Sequence, residues 1–175
     1  RKIMIDITYH ESFHQYLHYA VGEAMSSIWF NEGNAAFFEG VNFRGGGKVE
    51  INLTERLNSM KSLASSAIDI KKFIGISHEE FVEKSSVTKN YALAWGLMFF
   101  LQKGSQIIKG KNNYYEIPSR YYDSLVDTGD CKKANEDAWK DVDMKKFEKD
   151  FIEFWSSDSL IKKAERFNPI TDKKK

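Results

Sequence analysis

Residues 89–104 read KNYALAWGLMFFLQKG, and the apolar character runs almost without interruption through one helical length. A helix that is apolar nearly all round has no face to give to water, so it belongs inside a protein or a membrane. A bilayer span needs about 20 apolar residues, and no run of even 18 occurs here. The segment is therefore read as a buried central helix. The chain of 175 residues, 42% apolar and 14% aromatic, is long enough to build a core around it.

Helix-compatible patterns continue on both sides. Residues 4–21, MIDITYHESFHQYLHYAV, carry Phe13, Leu17, Ala20 and Val21 at helical spacing, with Gly22 to close the segment. Residues 26–40, SSIWFNEGNAAFFEG, begin with serines suited to an N-cap and end at Gly40. Three glycines in VNFRGGGKVEINLTERL mark a turn or loop beside a short strand, KVEINL. Residues 53–74 read as a polar helix and SHEEFVEK, 77–84, as a short capped one. PSRYYDSLVDTGD is amphipathic with Pro118 in its first turn, and CKKANEDAW follows it. The closing segment, DMKKFEKDFIEFWSSDSLIKKAERF, aligns Phe147, Phe151, Phe154 and Trp155 in one stripe. The polar face behind that stripe mixes both charge signs, which suits core packing and not a membrane surface.

The bulk numbers remove several functions. A net charge of +1 provides no basic face for nucleic acid, and the terminal TDKKK reads as a solvated tail. The triple glycine is no phosphate loop, because Asn42 stands where its first glycine is needed and Val49 replaces the hydroxyl residue. Cys131 is alone, which excludes an internal disulfide. Asn52, Leu53 and Thr54 fit a glycosylation acceptor, a common pattern that says little by itself. The opening RKIMIDI has no initiator Met and no signal pattern, and reads as the start of a fragment or a processed product.

The chemistry concentrates in HESFH, residues 10–14. Residues four apart on a helix share a face, with Cβ atoms about 5–6 Å apart. His10 and His14 can thus reach one Zn²⁺ through nitrogens at roughly 2.0–2.1 Å. Glu11 projects beside them, where its carboxylate can act as a general base on water without ligating the metal. A plainer reading competes: Thr8 and Glu11 form T-x-x-E, a capping box that would start the helix at Thr8. His18 lies eight residues beyond His10, roughly 12 Å along the axis, too far to share an ion with it. A catalytic zinc site needs three protein ligands and one open position. Glu32, early in the second helical segment, is the expected third ligand, and Glu39, two turns further on the same face, is the fallback.

The pattern H-E-x-x-H followed by W-x-N-E-G-x-A-x-F-x-E resembles the gluzincins, the clan of zinc peptidases that includes thermolysin and membrane-alanyl-type aminopeptidases. The wording HESFHQYL … WFNEGNAAFFEG … YALAWGLMFFL … FEKDFIEFW is closer still to a bacterial family of gluzincin-like domains of unknown function. The resemblance implies zinc held by His10, His14 and Glu32, with Glu11 as catalytic base for peptide hydrolysis. It also implies Tyr91 as the donor to the oxyanion, by likeness to the aminopeptidase tyrosine, with His78 the weaker choice. Two departures stand out. The gap from His14 to Glu32 is one or two residues short. Ala36 occupies the position where thermolysin-like enzymes place an acidic residue that holds a ligand histidine, so another group must orient the imidazole.

The expected architecture is mainly α: a zincin-like helical lobe whose two metal-binding helices pack on the buried central helix, with little or no β-sheet. One domain covers 1–175, with the metal-site helices in 1–40 and a helical remainder in 41–175. Only nine residues precede His10, so the β-sheet that gluzincins place before the motif is expected to be missing or to belong to a part of the protein outside this sequence. Peptide or protein substrates are the expected partners, and a secreted or cell-envelope location suits such a peptidase better than the cytoplasm. The rival readings are a zincin-like binding module without catalysis and a structural helical domain.

Overall fold

A computed structural model describes residues 2–44, 48–66, 68–110 and 112–167. Its elements in chain order are α1 (Lys2–Ala20), α2 (Ile28–Phe38), β1 (Val41–Arg44), β2 (Lys48–Ile51), α3 (Leu57–Ala64), α4 (Ile70–Ile74), α5 (His78–Phe81) and α6 (Val87–Gln102). After two short 3₁₀ turns, Gly104–Gln106 and Tyr114–Glu116, come α7 (Ile117–Thr128), α8 (Cys131–Trp139), α9 (Met144–Trp155) and α10 (Asp158–Arg166). The fold is mainly α, as its apolar periodicity requires. β1 and β2 form one antiparallel pair, with Val41 opposite Ile51 and Asn42 opposite Glu50. The expected strand thus has a partner, while the triple glycine lies outside the described residues. Among the described residues, no helix is long and apolar enough to cross a membrane.

The all-apolar stretch forms α6, and every residue from Ala92 to Leu101 is buried. α2 packs along one side of it, and two glycines set how closely neighbours approach. A Cβ on Gly33 of α2 would stand 2.9 Å from the Ala94 carbonyl oxygen of α6, and one on Gly96 of α6 would collide with Met60 of α3. The aromatic stripe of α9 closes the other side: Phe147, Phe151, Phe154 and Trp155 are fully buried. Phe151 meets Phe100 edge-on at 5.3 Å, and Trp155 lies 5.4 Å from Trp95. Offset and edge-on pairs of this kind add to the area they bury.

Three local readings change. The helix expected over 53–74 is two helices, α3 and α4. The Ser65 and Ser66 hydroxyls turn back onto the Ser62 and Leu63 carbonyls, and Asp69 starts α4 by accepting from the Lys72 N–H. Short polar side chains compete with the helix for its own backbone groups, which ends one helix and begins the next. The closing segment splits for the same reason at Ser157, whose hydroxyl accepts from the Leu160 N–H. Thr8 is no cap: α1 begins well before it, and its hydroxyl donates to the Met4 carbonyl one turn back. The short helix at 77–84 does carry the expected capping box, Ser77 with Glu80. Gly22, at φ +62°, turns the chain after α1 where expected.

Candidate metal centre

The start of α2 is tied down before it offers any chemistry. The Ser27 N–H donates to the Tyr121 hydroxyl at 2.6 Å, and the Trp29 indole donates to Asn135 at 2.8 Å, joining α2 to α7 and α8. α1 is more exposed and rests on α2 through buried Leu17 and the stacked Phe13–Phe38 pair, 5.5 Å between centroids. The pairings show that the two helices run antiparallel: His14 faces Asn31 at the start of α2, and His10 faces Glu39 at its end.

That arrangement puts His10, His14 and Glu32 together. One nitrogen from each imidazole and one carboxylate oxygen all lie within 4.8 Å of one another. His10 Nε2 is 3.5 Å from Glu32 Oε2, and His14 Nε2 is 3.8 Å from Glu32 Oε1. Tetrahedral bonds of about 2.0–2.1 Å would set neighbouring ligand atoms about 3.3–3.4 Å apart, so each imidazole already stands within about half an ångström of that spacing from one Glu32 oxygen. Oε2 of Glu32 is buried without a hydrogen-bond partner. A buried carboxylate oxygen without a hydrogen bond is costly; its long ion pair with His10 offsets that only in part, and a cation between the three groups would satisfy it directly.

The opposite ring nitrogens are already engaged. His10 Nδ1 is bonded to Glu39 Oε1 and His14 Nδ1 to Asn31 Oδ1, each at 2.7 Å. A ring that donates from Nδ1 leaves Nε2 with its lone pair, which is the tautomer a metal needs. The sequence left open what replaces the acidic residue missing at Ala36. Here Glu39 holds His10, so Glu39 stands behind the ring and outside the trio of ligand atoms. Arg56 then holds Glu39, with Nη1 on Oε2 and Nη2 on Oε1, the latter at 3.1 Å.

The two carboxylates and His10 shift one another's titration. Hydrogen bonding to Glu32 and then Glu39 raises His10 to about 9 against the opposing effect of burial. Burial pushes Glu32 and Glu39 upward, but His10 together with His14 brings Glu32 below its usual range, and His10 together with Arg56 does so for Glu39.

The remaining candidates divide. Glu11 is exposed beside His10 on α1. Tyr91, on the first turns of α6, directs its hydroxyl at Glu32, and burial followed by the Glu32 charge raises its pKa. The Gly33–Ala94 contact brings Tyr91 and Glu32 close, so the three letters of N-E-G each have a task. Asn31 orients His14, Glu32 faces both imidazoles, and Gly33 lets α2 reach α6. His18 is an exposed helix residue 4.0 Å from Glu23. His78 is exposed in the first turn of capped α5. Asn31, Glu39 and Arg56 are the residues that sequence reasoning missed as supports. Helical spacing alone could have suggested Glu39, two turns after Glu32 on the same face and opposite His10 once α1 and α2 run antiparallel. Arg56 had no comparable signal.

Residues 4–109, more than half of the chain, match the family described as "Protein of unknown function (DUF1570)". The matched stretch holds His10, His14, Asn31, Glu32, Glu39, Arg56 and Tyr91. No curated protein and no solved structure matches.

Proposed function

Because the chain belongs to the DUF1570 family of unknown function, its side chains must carry the functional reading, and we propose that it is a zinc-dependent peptidase domain. The observation that supports this most is the convergence of His10 Nε2, His14 Nε2 and the Glu32 carboxylate, with one Glu32 oxygen buried and unpartnered. Two imidazoles and a carboxylate form a known catalytic zinc set, with a fourth position left for water or substrate. Zinc supplies Lewis acidity toward a substrate carbonyl and lowers the pKa of water to about 7.

The chain's own residues do the rest. Asn31 and Glu39 hold the Nδ1 side of the two rings, which turns Nε2 toward the ion; His10 would give up its Nε2 proton on binding it. Glu11, exposed on α1 next to His10, takes a proton from the attacking water and returns it to the departing amine. Tyr91 is the donor available to the carbonyl oxygen as charge develops on it, once its hydroxyl turns from Glu32. The sequence resemblance to gluzincins supplies the substrate class, peptides or proteins.

Two measurements test the reading. Protein purified without added zinc should carry close to one equivalent, and a content far below that counts against a metal site. Wild type should cleave members of a mixed peptide library, while Glu11→Gln keeps its zinc and loses cleavage. Zinc without any wild-type cleavage would make this a binding module and remove the enzymatic half of the proposal.

A further inference from the structure

Arg56 lies beyond both metal-site helices, at the entry to α3, yet it reaches the end of α2. Its two terminal nitrogens bond the two oxygens of Glu39, and the oxygen bonded by Nη2, Oε1, is the same one that meets His10 Nδ1. Glu39 needs such a partner. It closes the C-terminal end of α2, where unpaired carbonyls make a helix unfavourable to negative charge. It is also largely buried, its side chain 16% exposed, which further penalises the carboxylate. The guanidinium fork offsets both costs and fixes the plane of the carboxylate, which a single ammonium could not do.

The position of Arg56 is itself built. The Asn52 N–H donates to the Gly40 carbonyl at 2.8 Å, which pins the strand pair to the end of α2. The Thr54 hydroxyl accepts from the Arg56 N–H at 3.3 Å, and the Arg56 carbonyl accepts from Met60 in α3. A segment far from the metal-ligand motif therefore delivers one charge to the back of His10.

We infer that Arg56 is a positioning residue of the metal centre, acting through Glu39 to keep the His10 ring oriented toward the ion. The inference rests on the zinc reading above and adds a residue that never touches the metal. Loss of a group that orients a metal ligand typically costs 10–100-fold in affinity. Arg56 acts one step further out, so Arg56→Ala is expected at the lower end, about tenfold.

The test is a competition titration of Zn²⁺ against a chromophoric chelator at fixed pH. It compares wild type, Arg56→Ala, Arg56→Lys, Glu39→Gln and the Glu39→Gln/Arg56→Ala double variant, with circular dichroism of the zinc-free proteins to confirm folding. Arg56→Ala should weaken zinc about tenfold, and Arg56→Lys, keeping charge without the fork, should fall between it and wild type. A role through Glu39 requires that Arg56→Ala cost less than about twofold once Glu39→Gln is present. Equal losses in both backgrounds, or an Arg56→Ala affinity within about twofold of wild type, overturn the inference and leave the metal site standing. If wild type itself takes up no zinc, the metal reading fails and this role fails with it. Should Arg56→Ala not fold, Arg56→Lys with and without Glu39→Gln decides. A loss of about threefold that vanishes with Glu39→Gln supports the inference, and no loss overturns it.

Discussion

Zinc and a proton should compete for the same nitrogen of His10, and pH is the perturbation that exposes it. In the metal-free protein His10 is held between two carboxylates, Nδ1 toward Glu39 and Nε2 toward Glu32, and titrates at about 9 in place of the usual 6.5. At neutral pH the ring is therefore protonated on both nitrogens. Zinc can enter only by displacing the Nε2 proton, because Nδ1 keeps its bond to Glu39. Below the raised pKa each entry releases one proton, so apparent affinity rises about tenfold per pH unit. From pH 6.5 to 8.5 the gain from this residue is about 75-fold, where an unperturbed histidine would add little above 7.

The stability effect of pH differs between the two forms. Because the folded pKa of His10 lies above its unfolded value, its contribution to the metal-free protein is complete below pH 6.5 and disappears as pH rises through about 9. The zinc-loaded protein escapes that loss: above about pH 6.5 neither it nor the unfolded chain holds the His10 proton, so this residue leaves its stability level over the same range. Calorimetric titration of Zn²⁺ at pH 7.5, in buffers of differing ionisation enthalpy, counts the protons released. Glu39→Gln removes one of the two groups that raise His10, so its affinity should level off at a lower pH than that of wild type. Proton release near zero at pH 7.5, or an affinity flat from pH 7 to 8.5, would refute the argument.

Bound metal should appear as heat resistance: at about 100 times its Kd zinc adds about 2.7 kcal/mol, or about 5–11 °C in Tm for a domain this size. A differential scanning comparison with and without chelator checks this, and His14→Ala should abolish the difference. Gly33→Ala brings a Cβ to 2.9 Å from the Ala94 carbonyl oxygen. Overpacking of about 1–3 kcal/mol there outweighs the gain of about 1 kcal/mol in helix propensity, so Tm should fall. A more stable Gly33→Ala protein would mean that α2 does not press on α6 at that point. Phe151→Ala, fully buried against Phe100, should cost about 3–5 kcal/mol in chemical denaturation. Its zinc stoichiometry, measured below the new midpoint, should stay as in wild type.

The parts legible in the sequence are those written in a single helix. The buried α6, the aromatic stripe of α9 and the face shared by His10 and His14 all follow from the 3.6-residue period, which needs no knowledge of neighbours. The breaks at Ser65–Asp69 and at Ser157 were hidden because hydrophobic spacing passes smoothly across them. Only the competition of short polar side chains for backbone groups marks the stop, and the same residues also occur inside helices. The T-x-x-E at Thr8 misled for the converse reason: a capping pattern has no force where the preceding residues already favour helix.

The supports of the candidate metal centre were illegible because they depend on register between elements. Glu39 reaches His10 only if α1 and α2 run antiparallel with Asn31 opposite His14, and Arg56 reaches Glu39 only if the strand pair folds back on the end of α2. Tyr91 likewise approaches Glu32 because Gly33 has no side chain to keep α6 away. The candidate site therefore draws on both sides of residue 40. Residues 10–39 bring the ligand atoms together. Arg56 supports the carboxylate behind His10, and α6 supplies the hydroxyl directed at Glu32. Removing everything after residue 40 would strip the charge that balances Glu39 and the helix that shields Glu32. The imidazole orientation and the unpartnered oxygen that favours a cation would go with them.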